Sequence, residues 1–92
     1  MNLQQILASF APSEDGHSVD IPPSWMQGRT AYGGLSAAIG LHAAQQSEED
    51  LPPLRSAQIS FIGPLAGSVS VTTKLLRRGR TAAFIQVDII SE

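Results

Sequence analysis

The 92-residue sequence predicts a single α+β domain in which one buried helix packs on an antiparallel sheet. Two observations carry this reading. From Gly33 to Ala44 the only polar side chains are Ser36 and His42, and small residues dominate the run. After Pro53 the pattern changes to strict alternation, interrupted twice by turn chemistry. Length and alanine content make the first feature a helix and not a strand. A helix apolar nearly all round is expected to be buried on most sides.

In order along the chain, Leu3, Ile6, Leu7 and Phe10 form the stripe of a short amphipathic helix. Pro12 and Gly16 break it, within a loop expected over Ala11–Gly16. His17 to Ile21 alternates and is expected to be a short strand, stopped by Pro22-Pro23. Trp25 and Met26 then anchor a loop on the core. The central helix is expected over 33–46, with Gly40 inside it. Glycine there costs roughly 1 kcal/mol against alanine, so a packing reason is expected. Ser47-Glu48-Glu49-Asp50 and two prolines make a solvated connection. Three strands should follow, over 55–62, 68–77 and 80–91. In the first, Ala57, Ile59 and Phe61 form the inner face. In the second, Val69, Val71, Thr73 and Leu75 share a face; in the third, Ala83, Ile85, Val87 and Ile89 do, opposite Phe84, Gln86 and Asp88. Arg78-Gly79-Arg80 is expected to be the hairpin turn, with Gly79 supplying an unusual backbone angle. Glu92 follows directly on the last strand, which leaves an open row of backbone donors and acceptors.

Composition narrows the function. A net charge of −2 and pI near 5.5 argue against nucleic-acid binding, which needs a basic face. With no cysteine, disulfides and thiol catalysis are excluded. The N-terminal stretch has neither a basic region nor a long apolar core, and no run reaches the ~20 residues of a membrane span. A cytoplasmic protein without membrane contact is the expectation. Charged residues are 15% of the chain, below the usual ~25%, which implies surface covered by a partner. With the open strand edge, this predicts a homodimer or larger homo-oligomer.

Three stretches resemble one family. Gly28-Arg29-Thr30-Ala31-Tyr32-Gly33-Gly34 is similar to the double-glycine opening of the central helix in acyl-CoA thioesterases of the hotdog fold. Ser60-Phe61-Ile62-Gly63-Pro64-Leu65-Ala66-Gly67 resembles that family's strand and turn, and Leu75-Leu76-Arg77-Arg78-Gly79-Arg80-Thr81-Ala82 its hairpin between long strands. The resemblance implies residues 1–92 as one incomplete hotdog repeat, the N-terminal half of a double-hotdog enzyme without its closing strand and second repeat. It implies acyl-CoA as substrate, hydrolysed to free acid and CoA, with no cofactor, since coenzyme A is part of the substrate. In the fused enzymes the catalytic aspartate, threonine and glutamine lie in the second repeat. In single-repeat relatives a carboxylate stands on the central helix, seven residues after the second glycine; here that position is Leu41. The histidine that often precedes the glycine pair is replaced by Tyr32. The alternative is a non-catalytic hotdog module for assembly or acyl-CoA binding.

The chemistry can be read residue by residue. Thioester hydrolysis needs a polarised carbonyl and an activated water. Free N–H groups at a helix start suit the first task, and Gly33 and Gly34 carry no side chain to block approach. Tyr32, Gly33 and Gly34 are therefore the candidate substrate-binding residues; two glycines needed for close packing is the competing explanation. No base is evident, and no catalytic residue is assigned. Of the acids Glu14, Asp15, Asp20, Glu48, Glu49, Asp50, Asp88 and Glu92, none lies on the helix, and Asp88 reads as a solvated strand residue. His42 is better explained as a hydrogen-bonded core residue or end-of-helix cation than as a base. Ser36 fits either ligand contact or packing. Arg77, Arg78 and Arg80 suit phosphate recognition, but a solvated turn explains them better. Two histidines without cysteine or paired carboxylates make no metal site.

Overall fold

A computed structural model describes residues 1–13 and 16–91, so Glu14, Asp15 and Glu92 lie outside the described residues. Helix α1 (Leu3–Ala8) opens with a capping box. The Asn2 side chain accepts from the Gln5 amide, and the Gln5 side chain accepts from the Asn2 amide, both at 2.8 Å. The helix ends before Phe10, where the Ser9 amide and hydroxyl both turn back to the Ile6 carbonyl. Only Ile6 of this helix is buried. Strand β1 (Ala11–Ser13) pairs with β2 (Gly16–Ile21), so residues placed in a loop by their proline and glycine form a hairpin instead. Pro12 is tolerated there because β1 is an edge strand.

A 3-10 turn over Pro23–Trp25 leads to a small hairpin, β3 (Met26–Gln27) and β4 (Thr30–Ala31). Gly28 at its tip has φ +67°, a left-handed conformation that glycine adopts without a steric penalty. Trp25 and Met26 pack against the core as expected, and the Trp25 indole N–H donates to the Met1 carbonyl at 2.9 Å. Helix α2 then runs Gly33–Ser47, followed by an irregular segment, β5 (Gly67–Arg78) and β6 (Ala83–Ser91). The main sheet has the order β1-β2-β5-β6, every neighbour antiparallel. Ile6, Val19, Ile21, Ala31, Leu35, Ile39, Ala43, Val69 and Val71 form the core between α2 and the sheet. This is the expected α+β, hotdog-type arrangement of a central helix on an antiparallel sheet.

Several expectations need correction. Segment 55–62 is not a strand. Its alternation allows an extended chain, but a ladder also requires a partner, and this segment is held elsewhere. The Leu65 amide donates to Thr30 Oγ1 at 2.9 Å, and the Leu65 carbonyl accepts from the Ala31 amide at 2.7 Å. These bonds fix the end of the segment to β4, and Ser91 Oγ of β6 donates to the Pro64 carbonyl at 3.3 Å, while residues 52–64 are exposed and Ile62 is 96% accessible. Helix α2 is not buried on most sides either. Leu35, Ile39 and Ala43 form one row, with Ser36 beside it, and the rest of the helix is half-buried or exposed. On β5 burial stops after Val71, so Thr73 and Leu75 are exposed where the hairpin runs past the end of the core. On β6 the alternation holds throughout. The hairpin turn closes through the Gly79 amide donating to the Ala82 carbonyl at 2.8 Å, and Gly79 is not among the described residues with positive φ. A register shift between Leu75 and Arg77 lets the long strands twist past one another.

Two glycines separate by their surroundings. A Cβ on Gly16 would collide with the Val71 carbonyl oxygen of β5, which is backbone and cannot rotate away. A Cβ on Gly40 would meet only Ile89 Cδ1 at 3.8 Å, an ordinary contact. The packing reason expected for Gly40 is absent. Gly16→Ala is therefore expected to cost about 2 kcal/mol, lowering the thermal midpoint by about 10 °C. Gly40→Ala is expected to raise it by a few degrees, through about 0.5–1 kcal/mol of helix propensity. Thermal denaturation followed by circular dichroism checks both; equal midpoints for the two variants would contradict this packing.

Candidate functional site

The start of α2 is held from three directions. Tyr32 is the N-cap, and its amide donates to the Trp25 carbonyl at 3.1 Å. Its carbonyl accepts from the Leu35 and Ser36 amides at 3.0 and 3.1 Å, closing the first turn. The β3–β4 hairpin, pinned by Leu65, delivers the chain into this cap. Tyr32, Gly33 and Gly34 are all exposed. Among the described residues no hydrogen bond is made by the Gly33 and Gly34 amides, as the first turn of any helix leaves them. The Tyr32 side chain makes no capping bond, and the first turn has no acidic residue. The helix dipole is thus uncompensated at this end, which favours a partial negative charge nearby.

The two glycines differ in access. A Cβ on Gly33 would lie 3.3 Å from Phe61 Cζ and 3.6 Å from Phe61 Cε1. On Gly34 it would meet nothing within 4 Å. The Phe61 ring thus forms an apolar wall over one glycine and leaves the other open. Sequence reasoning had placed Phe61 on the inner face of a strand. Its true neighbour is set by the Leu65 tether, which no local pattern records.

The remaining candidates are dispersed. Leu41, at the position where a carboxylate would stand, is half-buried. His42 is not hydrogen-bonded in the core; its ring meets Phe10 edge-on, with centroids 4.9 Å apart, and His17 lies on the same phenylalanine at 6.1 Å. Phe10, His17, His42, Gln46 and Thr73 line a concavity of about 210 Å³ beside the second half of α2. Ser36, at 7% accessibility, belongs to packing and not to a ligand surface. Asp88 is exposed and accepts from Gln86 Nε2 at 3.1 Å, a solvated strand pair as expected. No group of three or more metal-ligating side chains occurs among the described residues.

The arginine cluster does not act as one. Arg78 donates to the Glu49 and Asp50 carbonyls, both at 2.7 Å, with the Glu48 carboxylate 3.9 Å away. Its guanidinium thus serves the segment just beyond the C-terminal end of α2, where Asp50 has φ +53°. A helix of 15 residues is about 22 Å long, so Arg78 and the Gly33–Gly34 amides sit at opposite ends of it. Charge-assisted bonds to two carbonyls make Arg78 structural, and Arg78→Ala is expected to cost about 1–2 kcal/mol. Urea unfolding is the measurement, and a loss below about 0.5 kcal/mol would mean the carbonyls are equally well satisfied by water.

Comparison with known proteins fits this geometry. Residues 21–92 match the family described as acyl-CoA thioesterase N-terminal domain. The matched stretch begins at the last residue of β2 and includes the β3–β4 hairpin, α2, the tethered segment and both long strands. Comparisons with curated proteins and with solved structures gave no match. No helix among the described residues is long and apolar enough to cross a membrane. With a match over most of its length, joined to a central helix on an antiparallel sheet, this chain belongs to the acyl-CoA thioesterase N-terminal domain family.

Proposed function

We propose that this chain is the acyl-CoA-binding N-terminal repeat of a cytoplasmic thioesterase, and that the complete protein hydrolyses acyl-CoA to free acid and CoA. The observation that supports it most is the open pair of amides at Gly33 and Gly34 beneath an uncapped helix start, in a chain of the thioesterase family. A thioester carbonyl accepts from such donors, and the dipole stabilises the charge that develops on its oxygen during attack. The Phe61 ring gives the acyl chain an apolar surface beside that point. Hydrolysis also needs a base to activate water, and α2 supplies no carboxylate, with Leu41 where one would stand. In this reading residues 1–92 bind, and the base comes from a second repeat. No cofactor is required, and the repeat works as a homodimer or larger assembly.

The absence of a base on α2 also favours a second reading, a non-catalytic module that binds acyl-CoA or assembles the protein. Both readings leave this chain without a base, so free-thiol release is expected to show no turnover above background with medium- or long-chain acyl-CoA. Robust turnover abolished by Asp88→Asn would place the base on β6 and overturn the assignment. Binding is checked separately by calorimetry. Gly34→Val is expected to weaken acyl-CoA binding at least about tenfold, or 1.4 kcal/mol, by covering the open amide. Equal affinity in the variant, with the fold intact, would remove the helix start from the site.

A further inference from the structure

The CoA part of an acyl-CoA carries phosphate groups, and a site that holds it needs a cation to meet them. The chain has six cationic side chains: Arg29, Arg55, Lys74, Arg77, Arg78 and Arg80. Arg78 is bonded to carbonyls at the far end of α2, and Lys74, Arg77 and Arg80 share its end of the β5–β6 hairpin. Arg55 follows in the segment that leaves that same end. Arg29 alone stands on the elements gathered at the start of α2.

Arg29 lies in the tight turn between β3 and β4, where Gln27 pairs with Thr30. Gly28, with φ +67°, fills the position at which a type II′ hairpin turn uses glycine. The turn is fixed from behind. Thr30 Oγ1 accepts from the Leu65 amide at 2.9 Å, and the Ala31 amide donates to the Leu65 carbonyl at 2.7 Å. Arg29 therefore adjoins a residue that is held in place. It is exposed, and among the described residues its side chain has neither a hydrogen-bond partner nor a carboxylate in salt-bridge range.

From this placement we propose that Arg29 binds the phosphates of the CoA moiety while the amides of Gly33 and Gly34 hold the thioester carbonyl. The proposal rests on the acyl-CoA reading above and adds the residue that receives the other end of the ligand. Length supports it. Thr30–Ala31 is a strand, and Tyr32, at φ −53° and ψ 139°, is close to the polyproline conformation. The chain from Arg29 to Gly33 thus runs nearly straight, and such a stretch spans at most roughly 14 Å. The pantetheine arm, from thioester sulfur to first phosphate, has about as many bonds as four peptide residues and a similar reach. Polarity runs the same way. Leu65 lies against Thr30 and Ala31, and Phe61 lies against Gly33. The apolar wall is therefore on the helix side of the thioester point, and the cation is on the hairpin side. Residues 21–47 and 51–66 contain no acidic side chain, so these elements carry nothing that repels a phosphate. A guanidinium also meets phosphate oxygens with two parallel N–H bonds.

Calorimetry on the full chain at low ionic strength tests this with dodecanoyl-CoA and with phosphate-free dodecanoyl-pantetheine. Arg29→Ala is expected to weaken dodecanoyl-CoA binding about fivefold, the upper range for an exposed ion pair, and to leave dodecanoyl-pantetheine unchanged. The difference is expected to shrink as salt is added. Arg80→Ala, at the opposite end of α2, is expected to change neither affinity. Unchanged dodecanoyl-CoA affinity in Arg29→Ala, or an equal loss for both ligands, overturns the phosphate role. The helix-start reading survives that result if Gly34→Val still weakens both ligands. A selective loss of dodecanoyl-CoA in Arg80→Ala instead places the phosphates at the β5–β6 turn and overturns the role of Arg29. If the unsubstituted chain binds neither ligand, the acyl-CoA reading and this proposal fall together.

Discussion

The structure depends on burying one row of side chains on α2. Leu35, Ile39 and Ala43 stand at successive helical turns, and they meet Val69 and Val71 of β5 with Val19 and Ile21 of β2 in one dry cluster. Four side chains in the core, Ile6, Ile39, Val69 and Val71, are almost fully excluded from water. At about 25 cal/mol per Å² of apolar surface, such residues supply most of the stability that a chain of this size has available. Every other element is placed by how it reaches this row. Helix α1 contributes Ile6 to it, the β3–β4 hairpin contributes Ala31, and β6 covers it from the side with half-buried Val87 and Ile89.

Packing the row fixes the direction of α2, and that direction divides the chemistry between its ends. The C-terminal end is occupied internally, because Arg78 from the hairpin reaches the carbonyls of Glu49 and Asp50. The N-terminal end is left with free amides, no side-chain cap and two glycines. A helix leaves its first amides without intrahelical partners, and those at the start of α2 stay open while Arg78 serves the segment just past its other end. The arginine that looked suited to phosphate is spent on structure. The glycine pair that looked suited to a carbonyl remains accessible.

The same packing leaves surface uncovered. The core is filled by one face of the sheet and one row of the helix, while apolar side chains at Leu54, Ile59, Phe61, Ile62, Phe84 and Ile90 face solvent. Two stretches carry them: an extended segment beside the helix start and the outer face of β6. The first stands beside the candidate thioester site.

Much was legible from local patterns. The alternation of β6, the run of small apolar residues over α2 and the glycine pair at its start all encode local geometry, because side-chain periodicity and helix termini depend on neighbours in sequence. The family motifs were legible for the same reason. Three features needed the tertiary structure. Segment 55–62 alternates like a strand, but pairing requires a partner edge, and the Leu65 bonds to Thr30 and Ala31 hold it elsewhere. The alternation of β5 runs on from Val71 to Thr73 and Leu75, yet burial stops after Val71, because only the first half of the strand lies against the core. The role of Arg78 depends on carbonyls some 28 residues away in sequence. Sequence by itself determined which faces are apolar and where the free amides lie, since those are local properties of the chain. The tertiary structure decided which apolar faces find a partner, because burial is a property of two surfaces brought together.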